Sequence, residues 1–318
     1  MSITKKTTIS IVIPVYNVEN FVYETLLSIK NQTSQPDEVI VIDDGSTDRS
    51  FNIINNFKNL SGWQVLQTSN QGLGLTRNFG KSIVKSEYIF FLDSDDLIES
   101  NFIYEMKKLI LDYNKPDMIL FSGKTFSHDK LTNKKLNLNF TVEGQFYRGD
   151  KLLSNLVNKK ETLPQVSRYI TKKELWIKND LNYPKGIAED EGVFFPLISL
   201  SENTVVKKKS YYSYRLNRPG SISMGPVKPA HAEDYLNRVL FTLNFMNLKK
   251  NLINFDYSAW CYNLERKCLK YINLCIKSKK KISWKVIFKI FVKTKNLIFL
   301  LKIFAISRPL KLFLLELL

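Results

Sequence analysis

Between residues 8 and 121, short β-branched runs alternate with stretches of helical periodicity, and few architectures accommodate that order. Ile9–Val15 reads as a buried strand, because an unbroken run of this kind has no polar face to leave in water. A helix is expected from about Asn20 to Asn31, with Val22, Leu26 and Ile29 on one face. Glu38–Asp43 is the second strand. Asp44–Asp48 then turns the chain, with Ser46 or Thr47 expected to cap a helix running to Phe57. Trp63–Thr68 is a third strand and Thr76–Val84 a helix; Tyr88–Leu92 is a fourth strand that feeds straight into Asp93-Ser-Asp-Asp96. Strands joined through helices pair mostly in parallel and are covered on both faces, so the fold class is α/β, a Rossmann-like sheet flanked by helices.

From about Gly123 to Val142 the sequence is polar and rich in Lys and Asn, which points to a loop or hairpin excursion. Helices are expected again at Asp150–Asn158 and Asp190–Leu200. Beyond Pro229 the chain becomes long-helical, rich in Leu, Phe and Lys and almost without Gly or Pro. A boundary near residue 225 therefore separates an α/β domain, residues 1–225, from a helical C-terminal extension, residues 226–318. Cys261, Cys268 and Cys275 recur every seven residues, which lays them along one stripe of a helix and suits core packing better than a metal site. An odd cysteine count fits a reducing compartment. No secretory leader or run of about 20 uncharged apolar residues is visible, and the expected place is the cytoplasm.

The net charge of +17 admits nucleic acid, an anionic membrane, an acidic substrate, or simply a Lys-rich composition. Nucleic-acid binding calls for basic and aromatic residues interleaved on a sheet, or a recognisable helix module; neither is present, so no nucleic-acid partner is expected. Much of the charge sits at the C-terminal end, where eleven cations between Lys277 and Lys311 face one acid, Glu316. Lys281, Lys285, Lys289 and Lys293 repeat at i+4, with Val286, Ile287, Ile290 and Phe291 on the other side. Such a helix can lie on an anionic membrane surface, or dock its apolar side on protein and leave a solvated face. The apolar run Leu297–Ile306 could dip into the interface or pack between protomers of a homo-oligomer.

Two acidic clusters, Asp43-Asp44 and Asp93-Ser94-Asp95-Asp96, stand at the C-terminal ends of expected strands, where open α/β sheets bind ligands. In the second, an extended turn can aim Asp93 and Asp95 at one point, a donor pair suited to Mg²⁺ or Mn²⁺. Taken alone, that cluster could equally be a solvated turn with capping aspartates.

With these residues in view, the chain resembles family 2 glycosyltransferases of the GT-A fold, of the bacterial surface-polysaccharide type. The matching stretches are Ile11-Val-Ile-Pro-Val-Tyr-Asn17, Val41-Ile-Asp-Asp-Gly-Ser-Thr-Asp48, Gly74-Leu-Thr-Arg-Asn78, Phe91-Leu-Asp-Ser-Asp-Asp96 and Ala188-Glu-Asp-Glu191, in family order over about residues 8–225. The resemblance implies that residues 8–121 hold a nucleotide-sugar and that residues 145–225 carry the acceptor side and the base. Pro14, Val15, Tyr16 and Asn17 would cradle the nucleotide, with Asp43 and Asp44 beside them and Asp44 accepting a hydrogen bond from uracil. Arg77 would lie near the diphosphate, with a helix salt bridge as its plainer alternative. Asp95 would ligate the metal, and Asp93, with Ser94 between them, would contact ribose or sugar as well as the metal. Asp190 would be the general base of an inverting transfer to a glycan or lipid-linked glycan hydroxyl, flanked by Glu189 and Glu191, which leave that assignment open. The three acids are also a natural helix start. Arg215, Arg218 and Ser221 would clamp the diphosphate from a closing loop, while Trp176 and Tyr183 either stack on an acceptor sugar or pack in the core. A sugar nucleotidyltransferase would carry a Gly-rich basic loop where Pro14-Val-Tyr-Asn17 stands, and an inactive scaffold has no reason to retain Asp93, Asp95 and Asp190.

Overall fold

The computed structural model describes residues 7–127, 136–162, 165–186, 189–216, 228–249 and 257–296, together with 299 and 303. The chain divides into two compact units, residues 1–225 and 226–318.

The first unit is built on one sheet. Strands β1 (Ile9–Val15), β2 (Glu38–Asp43), β3 (Trp63–Gln67) and β4 (Tyr88–Phe91) alternate with helices α1 (Val22–Lys30), α2 (Ser50–Asn55) and α3 (Leu73–Ile83). There follow β5 (Leu97–Ile98), α4 (Phe102–Asp112), β6 (Met118–Phe126), β7 (Gly144–Phe146), α5 (Gly149–Asn158), β8 (Tyr169–Lys172), α6 (Lys173–Lys178), α7 (Asp190–Leu200) and β9 (Thr204–Arg215). The strand order is β3-β2-β1-β4-β8-β6-β9-β5, with β7 paired to β9. Every pairing among β1 to β4 is parallel. Beyond them the sheet is mixed, because β8 runs antiparallel between β4 and β6 while β9 lies parallel to β6.

Connections from β1 lead outward to β2 and β3, then return across β1 to β4. That reversal falls at the carboxyl ends of β1 and β4, the general ligand position in doubly wound sheets. Burial explains why β1 is central: all seven of its residues are buried. Val22, Leu26 and Ile29 of α1 pack with Phe102, Met106 and Ile110 of α4 in the same core cluster as Ile9, Ile11 and Ile13, as the helical spacing requires.

Two local expectations are corrected. Helix α2 starts at Ser50 with Arg49 in the cap position, and Asp48, just before it, accepts the Ser50 N–H on Oδ1 at 2.9 Å. Ser46 and Thr47 instead bind Asn17: Ser46 Oγ accepts the Asn17 N–H at 3.1 Å, and Thr47 N donates to Asn17 Oδ1 at 2.8 Å. The polar stretch after Gly123 is strand as far as Phe126, because β6 passes two register shifts and stays paired with β9.

Helix α7, which starts at Asp190, is anchored at its far end by α5. Gly149 N donates to Ser201 O at 3.1 Å, and a Cβ added at Gly149 would stand 1.7 Å from the Ile198 carbonyl oxygen. Gly149→Ala should therefore force the two helices apart, at a cost of about 1–3 kcal/mol. At roughly 2–4 °C per kcal/mol for a unit of this size, a melting curve should fall by several degrees.

In the second unit, α8 (Pro229–Lys249) and α9 (Tyr257–Lys277) pack through Phe245 stacked on Trp260 at 4.6 Å, and α10 (Trp284–Thr294) follows. Cys268 and Cys275 are buried and Cys261 partly so, as a packing stripe demands. Burial pushes the Cys268 thiol up to about 12 and that of Cys261 to about 11, which keeps both protonated and unreactive. Among the described residues no helix is long and apolar enough to cross a membrane.

Candidate active site

At the carboxyl end of β1, Pro14 and Val15 are buried, so they offer a ligand only main chain, while Tyr16 and Asn17 stand exposed at the rim. Asp44 N donates to Val15 O at 2.8 Å, tying the tips of β1 and β2 together. The Asp44 carboxylate is buried and already braces the start of α3: it accepts the Gln71 N–H at 3.0 Å, the Gly72 N–H at 2.9 Å and the Thr68 hydroxyl at 3.3 Å. Asp43 accepts Ser46 N and Gln67 Nε2 on Oδ2, and its buried Oδ1 has no hydrogen-bond partner.

The turn after β4 alternates as its sequence suggests. Asp93 and Asp95 are partly exposed, whereas Ser94 and Asp96 are buried. Side chains from distant elements hold its peptide groups one by one. Asp93 N donates to Ser167 Oγ at 3.2 Å, Thr25 Oγ1 donates to Ser94 O at 3.0 Å, and Arg215 Nε donates to Asp95 O at 2.7 Å. Asp96 turns inward, accepting the Arg215 N–H at 2.7 Å and the Tyr212 hydroxyl. Burial, then Asp95 and Asp93, raises its carboxyl well above the usual range. Arg215 also reaches Glu24 of α1 at 2.6 Å and lies over Phe126 at 4.5 Å. It is the last residue of a strand, buried beneath the acidic turn, and not a clamp on a closing loop as the resemblance suggested. Arg218, Ser221 and Ala188 lie outside the described residues.

Arg77 is the centre of the arrangement. Its guanidinium is 2% exposed and joins Asp93, at 2.5 Å, to Glu189. Burial alone would lower its pKa; Asp93 and then Glu189 outweigh that and hold the group charged. A salt bridge was the plainer reading of Arg77, but it spans β4 and the α7 start and is not confined to one helix. Its neighbours complete the junction. Asn78 Nδ2 donates to Tyr183 O at 2.8 Å and its Oδ1 accepts Tyr183 N at 2.8 Å. At Gly74 a Cβ would stand 2.4 Å from Pro184 O, so only glycine lets α3 approach this closely. Trp176 and Tyr183 are core residues, packed at 5.2 Å from each other, and offer no face to a sugar.

Asp190 opens α7, with Oδ1 accepting the Glu191 N–H at 2.8 Å. Desolvation, then Glu189 and Glu191, raises its carboxyl well above the usual range, against the pull of Arg77. Glu189 is buried and engaged by Arg77; Glu191 is partly exposed. The helix-start reading and a chemical role are therefore compatible.

Removing Arg77 tests the junction. Arg77→Met would leave Glu189 buried beside Asp190 with its cation gone, a loss of about 3 kcal/mol at the low end of such cases because Asp93 is partly exposed. Arg77→Lys should fall between, since one ammonium cannot hold both carboxylates in a fork. Thermal melts of both variants check the order.

Among the described residues no three His, Cys, Asp or Glu side chains form a metal cage. The partly exposed Asp93 and Asp95 nevertheless fit a hard divalent ion of the kind held by one or two carboxylates and shared with substrate phosphates. The excess of acids that raises Asp96 and Asp190 is the electrostatic setting a cation would relieve.

The family model described as Glycosyl transferase family 2 matches residues 10–164. Glycosyltransferase GlyG of Streptococcus pneumoniae is 30% identical over 228 residues, which cover 67% of this chain and 72% of GlyG. The poly(ribitol-phosphate) beta-glucosyltransferase of Bacillus spizizenii is 30% identical over 250 residues, 76% of this chain. The chain spans 38% of that enzyme's length and 31% of that of pneumococcal GlyA. In fold it resembles S. aureus TarS 1-349 solved in complex with UDP-GlcNAc, at TM-score 0.61 and 22% identity, covering 84% of each chain. The sheet reversal at the β1 and β4 tips, the paired acids there and these relatives lead to one statement: this chain, a GT-A fold with a helical C-terminal extension, belongs to glycosyl transferase family 2.

Proposed function

We propose that the chain is an inverting glycosyltransferase, dependent on Mn²⁺ or Mg²⁺, that moves a sugar from a UDP-sugar onto a hydroxyl of a glycan or lipid-linked glycan. The observation that carries this reading is the buried Arg77, which ties Asp93 of the acidic turn to Glu189, the residue before Asp190. The names of the B. spizizenii enzyme and of the UDP-GlcNAc complex of TarS support a surface-polymer acceptor and a uridine donor.

In this reading the base lies against exposed Tyr16, and Asp44 accepts from uracil with the lone pair its own chain leaves over. Asp95 with Asp93 would hold the metal, which would supply positive charge to the departing diphosphate. Ser94 and Asp96 are buried, whereas Asp93 and Asp95 stay partly exposed. Asp190 takes the proton of the acceptor hydroxyl as its oxygen bonds to the anomeric carbon. The bond to the diphosphate breaks on the opposite face with its electron pair, which inverts the centre. Glu189 is committed to Arg77, which favours Asp190 as the base; its raised pKa brings it nearer working pH. Arg218 and Ser221, beyond β9, would complete the diphosphate site. The free thiols and a nucleotide donor suit a cytoplasmic enzyme, with the basic C-terminal unit holding it at the inner face of an anionic membrane.

A panel of UDP-sugars with Mn²⁺ tests the reading through thermal stabilisation. UDP should stabilise the fold, and one UDP-sugar should do so more strongly. No shift with any uridine nucleotide would remove the proposal.

A further inference from the structure

Helix α10 has two apolar stripes, of which the sequence reading named only the one formed by Val286, Ile287, Ile290 and Phe291. Ile287 and Ile290 are buried, with Val286 and Phe291 half-buried beside them, so that side is used in packing within the C-terminal unit. Trp284, Phe288 and Val292, each four residues apart, face outward and remain 38%, 67% and 55% exposed. Lys285 and Lys289 follow the same step and are exposed, as is Lys281 just before the helix. Lys293 belongs to the inner side, where its Nζ bonds Asn247 Oδ1 at 2.7 Å and lies 5.3 Å from the Tyr257 ring centre. From Lys277 to Lys295 there is no acidic residue.

Large apolar side chains left in water at helical spacing, with cations one position further round, match the boundary between headgroups and acyl chains. The helix has 11 residues, about 16 Å at 1.5 Å per residue, about half of a ~30 Å hydrocarbon core, so it would lie along a surface and not cross it. Charge chooses the occupant. A second copy of the helix on this stripe would set Lys285 and Lys289 against the same lysines, whereas an anionic lipid surface complements them. We propose that the Trp284–Phe288–Val292 stripe, flanked by Lys281, Lys285 and Lys289, is the face by which the chain docks on an anionic phospholipid bilayer. This rests on the membrane part of the proposed function and is independent of the donor site.

The test is flotation of the full chain with phosphatidylcholine vesicles, with and without phosphatidylglycerol. The wild-type chain should float with the anionic vesicles only. The triple variant Trp284→Ser, Phe288→Ser, Val292→Ser should lose at least about tenfold in binding, and Lys285→Glu with Lys289→Glu should lose it as well. Leu248→Ser, an exposed apolar change elsewhere in the unit, should float as wild type does. Melting and UDP binding should be unchanged throughout, which shows that the variants fold. If the triple variant floats normally, the stripe is wrong although the membrane reading stands. If the wild type does not float, both fail and the donor site is untouched. If the triple variant instead converts a lipid-free oligomer to monomer by light scattering, the stripe is a self-association face and the proposal is overturned.

Discussion

Asp190→Asn is expected to lower turnover about 10²- to 10⁴-fold, the usual range for loss of a general base, with UDP affinity in Mn²⁺ unchanged. Amide and carboxyl are nearly the same shape, and Asn keeps an oxygen to accept the Glu191 N–H that Asp190 Oδ1 accepts now. What disappears is the capacity to take a proton. The same exchange should stabilise the fold at neutral pH. Asp190 has a folded pKa raised above the ordinary 3.8, chiefly by desolvation, so its carboxyl favours folding below that value and loses this contribution as pH rises through the folded pKa. The variant's higher melting temperature should therefore vanish in acid, and the acid limb of kcat/KM for the wild type should lie above the ordinary aspartate range. Glu189→Gln would behave differently: it weakens the Arg77 fork and should destabilise the protein as well as slow it.

Asp95→Ala should abolish detectable transfer and erase the gain in UDP affinity that Mn²⁺ gives, while the main chain of the turn keeps its Arg215 contact. Asp95 is partly exposed, and it is the Asp95 carbonyl, retained in alanine, that Arg215 holds. Asp93 makes the informative contrast. Because Asp93 also binds Arg77 at 2.5 Å, Asp93→Ala should lose stability along with metal-dependent affinity. Titration calorimetry of UDP with Mn²⁺ or with chelator, run beside thermal melts, separates the two aspartates.

Local pattern carried most of the fold. The Ile9–Val15 run, the Val22/Leu26/Ile29 face and the acids after Tyr88–Phe91 lie where periodicity and strand-end chemistry put them. The supports of the site were not legible in the same way. Thr25, Ser167, Tyr212 and Arg215 reach the acidic turn from 69 to 120 residues away, and such contacts leave no periodic trace. A threonine on the buried face of α1 was the one available hint, since a hydroxyl there needs a partner. Arg77 was placed near a diphosphate by motif alone; only the return of α7 to the β4 tip shows that its charge is shared with Glu189. The outward stripe of α10 was missed because Val286, Ile287, Ile290 and Phe291 make the more continuous apolar side, and a continuous side is the one a helix buries first.

Anomalous diffraction from a crystal grown with UDP and Mn²⁺ addresses the whole scheme at once. A single manganese peak should lie bonded to an Asp95 carboxylate oxygen and to the diphosphate, with the uridine at the Tyr16 edge and Asp190 facing the space beyond the second phosphate. Diphosphate bound elsewhere on the sheet, or manganese bound away from Asp93 and Asp95, would contradict it.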